Sequence, residues 1–148
     1  MILQEQRFEL VGSVRPDRRA DGTIATDRPQ SRYAKADTTA LHQYGDGDFC
    51  TFHLPDAPKA AGVYAMYIGD KMMYVGEAEC LKQRLYAYGQ ISPRNCFVGG
   101  RQTNCRINKR ILGAAQSGQD VEVWFHACED RKQLEAALEQ AFRPCWNL

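Results

Sequence analysis

The stretch that most limits what this chain can fold into is "GVYAMYIGDKMMYVG", residues 62–76. Two apolar, aromatic-rich runs flank "GDK", a reverse-turn sequence. Runs of strand-forming residues on either side of so short a connection predict an antiparallel β-hairpin. Each run carries a tyrosine near a glycine, Tyr64 two positions after Gly62 and Tyr74 two before Gly76. On neighbouring strands their hydroxyls can converge on one face of the sheet.

Downstream of the hairpin the pattern stays regular. "EAECLKQRLYAYG" reads as a short helix stopped by Gly89, in the manner of a glycine C-terminal cap. "SPRNCFVGGRQTN" reads as a loop. "NCRINKRILGAAQSG" places Ile107, Ile111 and Ala115 at helical spacing and ends at Gly118. "VEVWFHAC" alternates Val121, Val123 and Phe125 against Glu122, Trp124 and His126, as a strand does. In "EDRKQLEAALEQAF", acids open a helix that sets Leu134, Leu138 and Phe142 on one face, and Pro144 ends it. Strand, strand, helix, helix, strand, helix is the order of an α/β or α+β layer with a small mixed or antiparallel sheet.

Residues 1–60 read differently. "RFELVGSV" alternates as a strand, "RPDRRADGT" is a turn, "FCTFHL" is another short strand, and the polar stretch between is mostly loop. The expected division is therefore an N-terminal extension, 1–60, that packs on the core or forms an arm, and a domain over 61–148. A total of 148 residues suffices for one core. No apolar run reaches the roughly 20 residues that span a bilayer, and "MILQEQRFEL" lacks a basic region followed by an apolar one. A cytoplasmic protein with no membrane partner is the expectation. The six cysteines include no C-x-x-C pair. They read as free thiols, with a zinc site drawn from Cys96, Cys105 and one or two others as the alternative.

Net charge is +1, but its distribution is uneven. Between Glu79 and Asp120 there is no acid, while Lys82, Arg84, Arg94, Arg101, Arg106, Lys109 and Arg110 all fall there, with Tyr86, Tyr88 and Phe97. Such a stretch suits contact with a phosphate backbone. Within "SPRNCFVGGRQTNCRINKR", Arg94, Asn95, Arg101, Asn104, Arg106 and Lys109 are the expected nucleic-acid contacts, since Arg and Asn reach phosphates or base edges. "RPDRR" and "RPQSR" raise the further possibility of a DNA-contacting arm.

Five polar residues are not explained by local structure: Tyr64, Tyr74, Arg84, Glu135 and Asn147. Phosphodiester hydrolysis needs a means of deprotonating water, a cation facing the developing charge, and usually a carboxylate-held metal. "GVY" followed by "YVG", with Tyr74 ten positions after Tyr64, resembles the paired motif that names the GIY-YIG endonuclease superfamily. "YVGEAECLKQRLYAYG" is similar to that family's YIG, linker, leucine and arginine, which places Arg84 on the family arginine. "LEAALEQAFRPCWN" is similar to the closing helix, where Glu135 stands nine positions before Pro144 and twelve before Asn147. The resemblance covers residues 61–148.

What the resemblance implies is an α+β fold, a small three-stranded antiparallel sheet flanked by helices, and one-step cleavage of DNA with one magnesium or manganese ion. It casts Tyr64 as general base or relay, Arg84 as stabiliser of the phosphoryl group and Glu135 as metal ligand. Tyr74 would position water or phosphate, and Asn147 would brace the site or touch substrate. Tyr88, four residues after Arg84, joins the site or packs. One position departs from the pattern: Glu77 stands where many members have lysine, which removes a positive charge and offers a second metal ligand. The expected function is a metal-dependent endonuclease acting on single- or double-stranded DNA, of restriction-like, repair or mobile-element type. With one site per chain, a double-strand break calls for a homodimer or two visits. The alternative is a catalytically weak nucleic-acid-binding module on the same scaffold.

Overall fold

The computed structural model describes all 148 residues. They form two compact units: Met1–Val14, Leu54–Leu85 and Gln119–Leu148 make the first, Arg15–His53 and Tyr86–Gly118 the second. The division does not fall at residue 60. The chain's first fourteen residues belong with the first unit: Glu9–Val14 pair with its main sheet, and Ile2–Arg7 form a separate hairpin.

In the first unit, strands β1 (Ile2–Leu3) and β2 (Gln6–Arg7) form a small hairpin, followed by β3 (Glu9–Val14). In the second, β4 (Thr26–Asp27) pairs with β5 (Phe49–Cys50). The first unit then continues with β6 (Gly62–Ile68), β7 (Lys71–Ala78), β8 (Val121–Ala127) and helix α3 (Arg131–Phe142). Helix α1 (Leu81–Gly89) begins in the first unit and ends in the second, which also holds α2 (Gln102–Gln116).

The main sheet has the order β3-β8-β6-β7, antiparallel throughout. It has four strands where three were expected. The fourth is "ELVGSV" of the N-terminal segment, which pairs along β8 with a bulge between Leu10 and Gly12. The predicted hairpin is β6–β7: Ile68 pairs with Lys71, so the turn is Gly69–Asp70. Gly69 has φ +57°, as the first position of a type II′ turn requires. β6 is paired on both sides, which is why "GVYAMYI" is apolar along its whole length and buried almost throughout.

Helix α3 lies on β7 and β6. Leu138 and Leu134 meet Val63, Ala65, Tyr67, Met72 and Val75 there. Phe142, expected on the same face, is 47% exposed, because it sits at the very end of the helix. The second unit has its own core of Phe49, Ile91, Cys96, Phe97 and Cys105, flanked by Tyr33 and Tyr44. Asn108 ties that unit together without exposure to water. Its Oδ1 accepts from the Cys50 N–H at 3.0 Å, and its Nδ2 donates to the carbonyls of Cys50 and Tyr88, each at 2.8 Å.

Gly89 does end α1, but not as a left-handed cap, since its φ is not positive. A Cβ there would lie 2.3 Å from the Phe52 carbonyl oxygen. Close backbone approach fixes this glycine.

Candidate active site

Four elements of the first unit carry the predicted residues. Tyr64 on β6 pairs with Gly76 on β7, and Met66 pairs with Tyr74, so both tyrosines project from one sheet face. Their rings stand 6.0 Å apart, tilted by 47°. Tyr64 is fully buried and Tyr74 nearly so. The role of Gly76 follows from this packing: a Cβ on it would sit 2.5 Å from the Tyr64 hydroxyl oxygen. The phenol occupies the space a side chain would fill.

The next residue, Glu77, carries the link to the helix. Its backbone favours the charged form of the Glu135 carboxylate on α3. Glu135 is half-buried, and its pKa is raised above the usual carboxylate range. Burial is the main cause and the nearby Glu77 carboxylate the next, with Glu139 adding to both; the Glu77 backbone and the Arg84 charge oppose them. Arg84, half-buried in the first half of α1, is thus within electrostatic reach of Glu135. Glu77 pairs with Val63, so its side chain lies on the α3 face of the sheet, opposite to the tyrosines.

Asn147 holds the edge of the sheet. Its Oδ1 accepts from the Val75 N–H at 2.9 Å and its Nδ2 donates to the Val75 carbonyl at 2.8 Å. Beside it, the Trp146 N–H donates to the Met73 carbonyl at 2.9 Å. β7 is an edge strand, and these bonds occupy backbone groups that an edge leaves unpaired. Of the two roles expected for Asn147, bracing is the one this geometry displays. A groove of ≈ 560 Å³ runs along α3 beyond Glu135, lined by Glu139, Gln140, Arg143, Asn147 and Leu148 among others.

Arg131 did not stand out in the sequence, where it looked like an ordinary cation at a helix start. Its Nε donates to Glu77 Oε2 at 2.6 Å, with the two side chains only 18% and 22% exposed. Its Nη2 lies 3.5 Å from the exposed Glu79 carboxylate. A signal was present: an acid in place of lysine at position 77 calls for a compensating cation, and Arg131 stands one helical turn before Glu135.

The six expected nucleic-acid contacts fall in the second unit and divide sharply. Arg94 and Arg101 are exposed. Asn104 and Arg106 are buried, Arg106 lying 5.9 Å from the Tyr44 ring centroid. Lys109 sits 4.1 Å from the Phe49 ring centroid and donates to the Asp48 carbonyl at 3.2 Å; burial lowers its pKa. Asn95 accepts the Arg101 N–H at 3.1 Å, folding the loop on itself. Asn104 and Arg106, expected as contacts, are thus packed inside the second unit. Four arginines of "RPDRR" and "RPQSR" stay exposed while bonding within the second unit. Arg18 bonds the Gly22 carbonyl, Arg19 that of Ile24, Arg28 bonds Asp48 and Arg32 bonds Asp27. Tyr88 is fully buried, its carbonyl held by Asn108.

No three His, Cys, Asp or Glu side chains gather to hold a metal, so the thiols make no zinc site. Cys96 and Cys105 lie together, the hydrogen bond between them lowering the pKa of Cys96 and raising that of Cys105. Burial pushes Cys50 up to about 12. Carboxylate oxygens are another matter. Magnesium keeps most of its waters and is commonly held by one or two carboxylates together with substrate phosphates. Glu135, with Glu77 beside it, fits that demand.

No family model matches the chain, and no curated protein does either. Among solved structures, the chain is similar to the GIY-YIG N-terminal endonuclease domain of UvrC from Thermotoga maritima, bound to its catalytic divalent cation, magnesium. Identity is 24%, over 62% of this chain and 88% of that one, with a TM-score of 0.42. Two point mutants of the same domain, each with one tyrosine changed to phenylalanine and each bound to the catalytic divalent cation, also match. Their identity is 22%, over 62% of this chain and 87% of theirs, again at a TM-score of 0.42. The likeness is that of a GIY-YIG-like segment. No helix is long and apolar enough to cross a membrane.

Proposed function

We propose that the first unit hydrolyses phosphodiester bonds in DNA with the help of a divalent cation, magnesium or manganese. The observation that carries this reading is the packing of Tyr64 against Gly76 of β7, with the Tyr74 ring 6.0 Å from that of Tyr64. The half-buried Glu135 on α3 and Arg84 on α1 belong to the same unit.

Each residue has a task that its surroundings suit. Glu135, half-buried on α3, is the metal ligand. A divalent cation bound there supplies charge stabilisation for the phosphoryl oxygens. Arg84 adds a fixed positive charge for the same oxygens, which a low-dielectric site makes more effective. Tyr64 accepts or relays the proton of the attacking water; an ordinary phenol pKa of about 10 makes it a poor base until nearby cations stabilise the phenolate. Tyr74, 6.0 Å away ring to ring, positions water or phosphate. Asn147 holds β7 in register. Arg94 and Arg101 remain as exposed phosphate contacts.

The test is incubation of plasmid, single-stranded, branched and RNA substrates with magnesium or manganese, alongside Glu135→Ala and Arg84→Ala. Metal-dependent cutting lost in both variants is the expected result. Cutting that survives Glu135→Ala would remove the metal-site assignment, and binding without any cutting would favour the binding-module alternative. Titrating protein concentration on plasmid separates a homodimer, which linearises directly, from single chains that nick first.

A further inference from the structure

Two buried asparagines on helix α2 of the second unit differ sharply in their surroundings. Asn108 is fully bonded, its amide meeting the Cys50 N–H and the carbonyls of Cys50 and Tyr88. Asn104 stands four residues earlier, on the same face of the helix. It is only 5% exposed, yet no hydrogen bond joins its amide to another residue of the chain. A buried amide in that state is costly, and it is rare unless water or an ion fills the gap.

The neighbouring groups decide which of the two fits. Asn104 is the third residue of α2, and helix side chains lean toward the N-terminus. Its amide therefore leans over the first turn. That turn has no side-chain cap and no acid. The Arg101 N–H is already used, donating to Asn95 Oδ1 at 3.1 Å. The N–H groups of Gln102, Thr103 and Asn104 have no carbonyl within the helix to receive them, and they carry the positive end of its dipole. Two guanidiniums stand at the same place. Arg101 directly precedes the helix, and Arg94 comes from the short helical turn Pro93–Cys96. Gly100 lets that turn lie against the helix start, since a Cβ on it would sit 2.5 Å from the Arg94 carbonyl oxygen. Both arginines are exposed, and no acid lies between Glu79 and Asp120 in the sequence. A water would satisfy the amide but leave this charge unopposed. An anion with several acceptor oxygens answers both demands, and phosphate is such an anion.

We propose that the N-terminal turn of α2 is a phosphate-binding site. It is formed by the N–H groups of Gln102, Thr103 and Asn104, the Asn104 amide, and the Arg94 and Arg101 guanidiniums. Its ligand is one phosphate group of a nucleic-acid strand. That source rests on the reading in the previous subsection, whereas the site rests on the second unit alone. The arginines supply charge, and the buried amide fixes where the phosphate sits.

The experiment is an amide NMR titration of the metal-free whole chain, once with inorganic phosphate and once with a short oligothymidine. Wild type is compared with Asn104→Leu and Asn104→Asp, and urea melts confirm that each is folded. Leucine fills the space of the amide without its donors. Aspartate sets a negative charge where the phosphate is to sit, a charge that a helix N-terminus favours. We expect both ligands to shift the backbone signals of Gln102, Thr103 and Asn104 and the Asn104 side-chain amide. Oligothymidine affinity should fall by about tenfold or more in Asn104→Leu, as for a lost hydrogen bond to a charged group. Its urea midpoint should stay near wild type, because no internal bond is lost. Asn104→Asp should abolish the shifts. An asparagine with a structural role only would lower the midpoint and leave affinity alone, and that result overturns the site. So does wild-type affinity in Asn104→Asp, or shifts confined to the two arginine side chains. Shifts with inorganic phosphate and none with oligothymidine overturn the nucleic-acid source. Metal-dependent cutting, assayed separately, decides the nuclease reading, so the two fail independently.

Discussion

Asn147 grips Val75 through both of its backbone groups, accepting at 2.9 Å and donating at 2.8 Å. The amide is thus spent on the strand that carries Tyr74 and Gly76, one residue to each side of Val75. Replacing it with Asp sets a carboxylate oxygen against the Val75 carbonyl, while Leu satisfies neither group. Each change should cost about 1–3 kcal/mol, the range for a lost pair of partly buried hydrogen bonds. Cleavage should fall in both. Chemical denaturation and a cleavage assay on the same preparations check this; unchanged stability in Asn147→Asp would show the bracket to be idle.

Gly76 and Tyr64 make a second, sharper test. A Cβ at position 76 would stand 2.5 Å from the phenol oxygen, so Gly76→Ala must move the tyrosine or the strand, at about 1–3 kcal/mol. Tyr64→Phe removes the hydroxyl and keeps the ring. It should hold stability within about 1 kcal/mol while cutting falls by roughly the 10²–10⁴-fold typical of a lost general base. If Tyr64→Phe cuts at the wild-type rate, the tyrosine is core and nothing more.

The raised pKa of Glu135 has a sign that can be followed. A carboxyl whose pKa is higher in the folded chain than its ordinary 4.5 gives stability that is complete below 4.5 and lost as pH rises through the folded value. Metal-free protein should therefore lose stability across that window, and Glu135→Gln should lose less. Magnesium, which competes with the proton, should restore stability near neutrality and have little effect at pH about 4. Thermal melts against pH, with chelator and with magnesium, read all three.

In the second unit, Arg94→Ala and Arg101→Ala should weaken DNA binding at all sequences, each lowering the salt slope by about 1. Arg106→Ala and Asn104→Ala should lower stability first, since both side chains are buried. Asn108→Leu is the extreme case, leaving two carbonyls and one N–H unpaired in the interior. At about 1–3 kcal/mol for each orphaned group, it should unfold the second unit. Salt-dependent binding and urea melts separate the two classes.

These contrasts show where the residues were informative before any coordinates. The hairpin, α2, β8 and α3 were legible because alternation, helical spacing and a two-residue turn are local properties. The spacing of the five candidate residues is likewise written in the chain. Three things were not. "ELVGSV" reads as a strand, but its place on β8 depends on a partner more than 100 residues away. Asn104 and Arg106 look like surface contacts in a basic run, and only the packing of α2 buries them. Arg131 carries only an indirect mark, the acid at position 77, and its pairing with Glu77 is visible only in the fold.

The first unit is assembled from three separated stretches, with the second unit's residues strung between them. Its edge strand is secured by position 147 and its acid by position 135, whereas the tyrosines lie near the middle of the chain. During synthesis the hairpin emerges long before the residues that lock it. Contacts so distant along the chain are slow to form, so this edge strand stays without its brace until the distant Asn147 has been made.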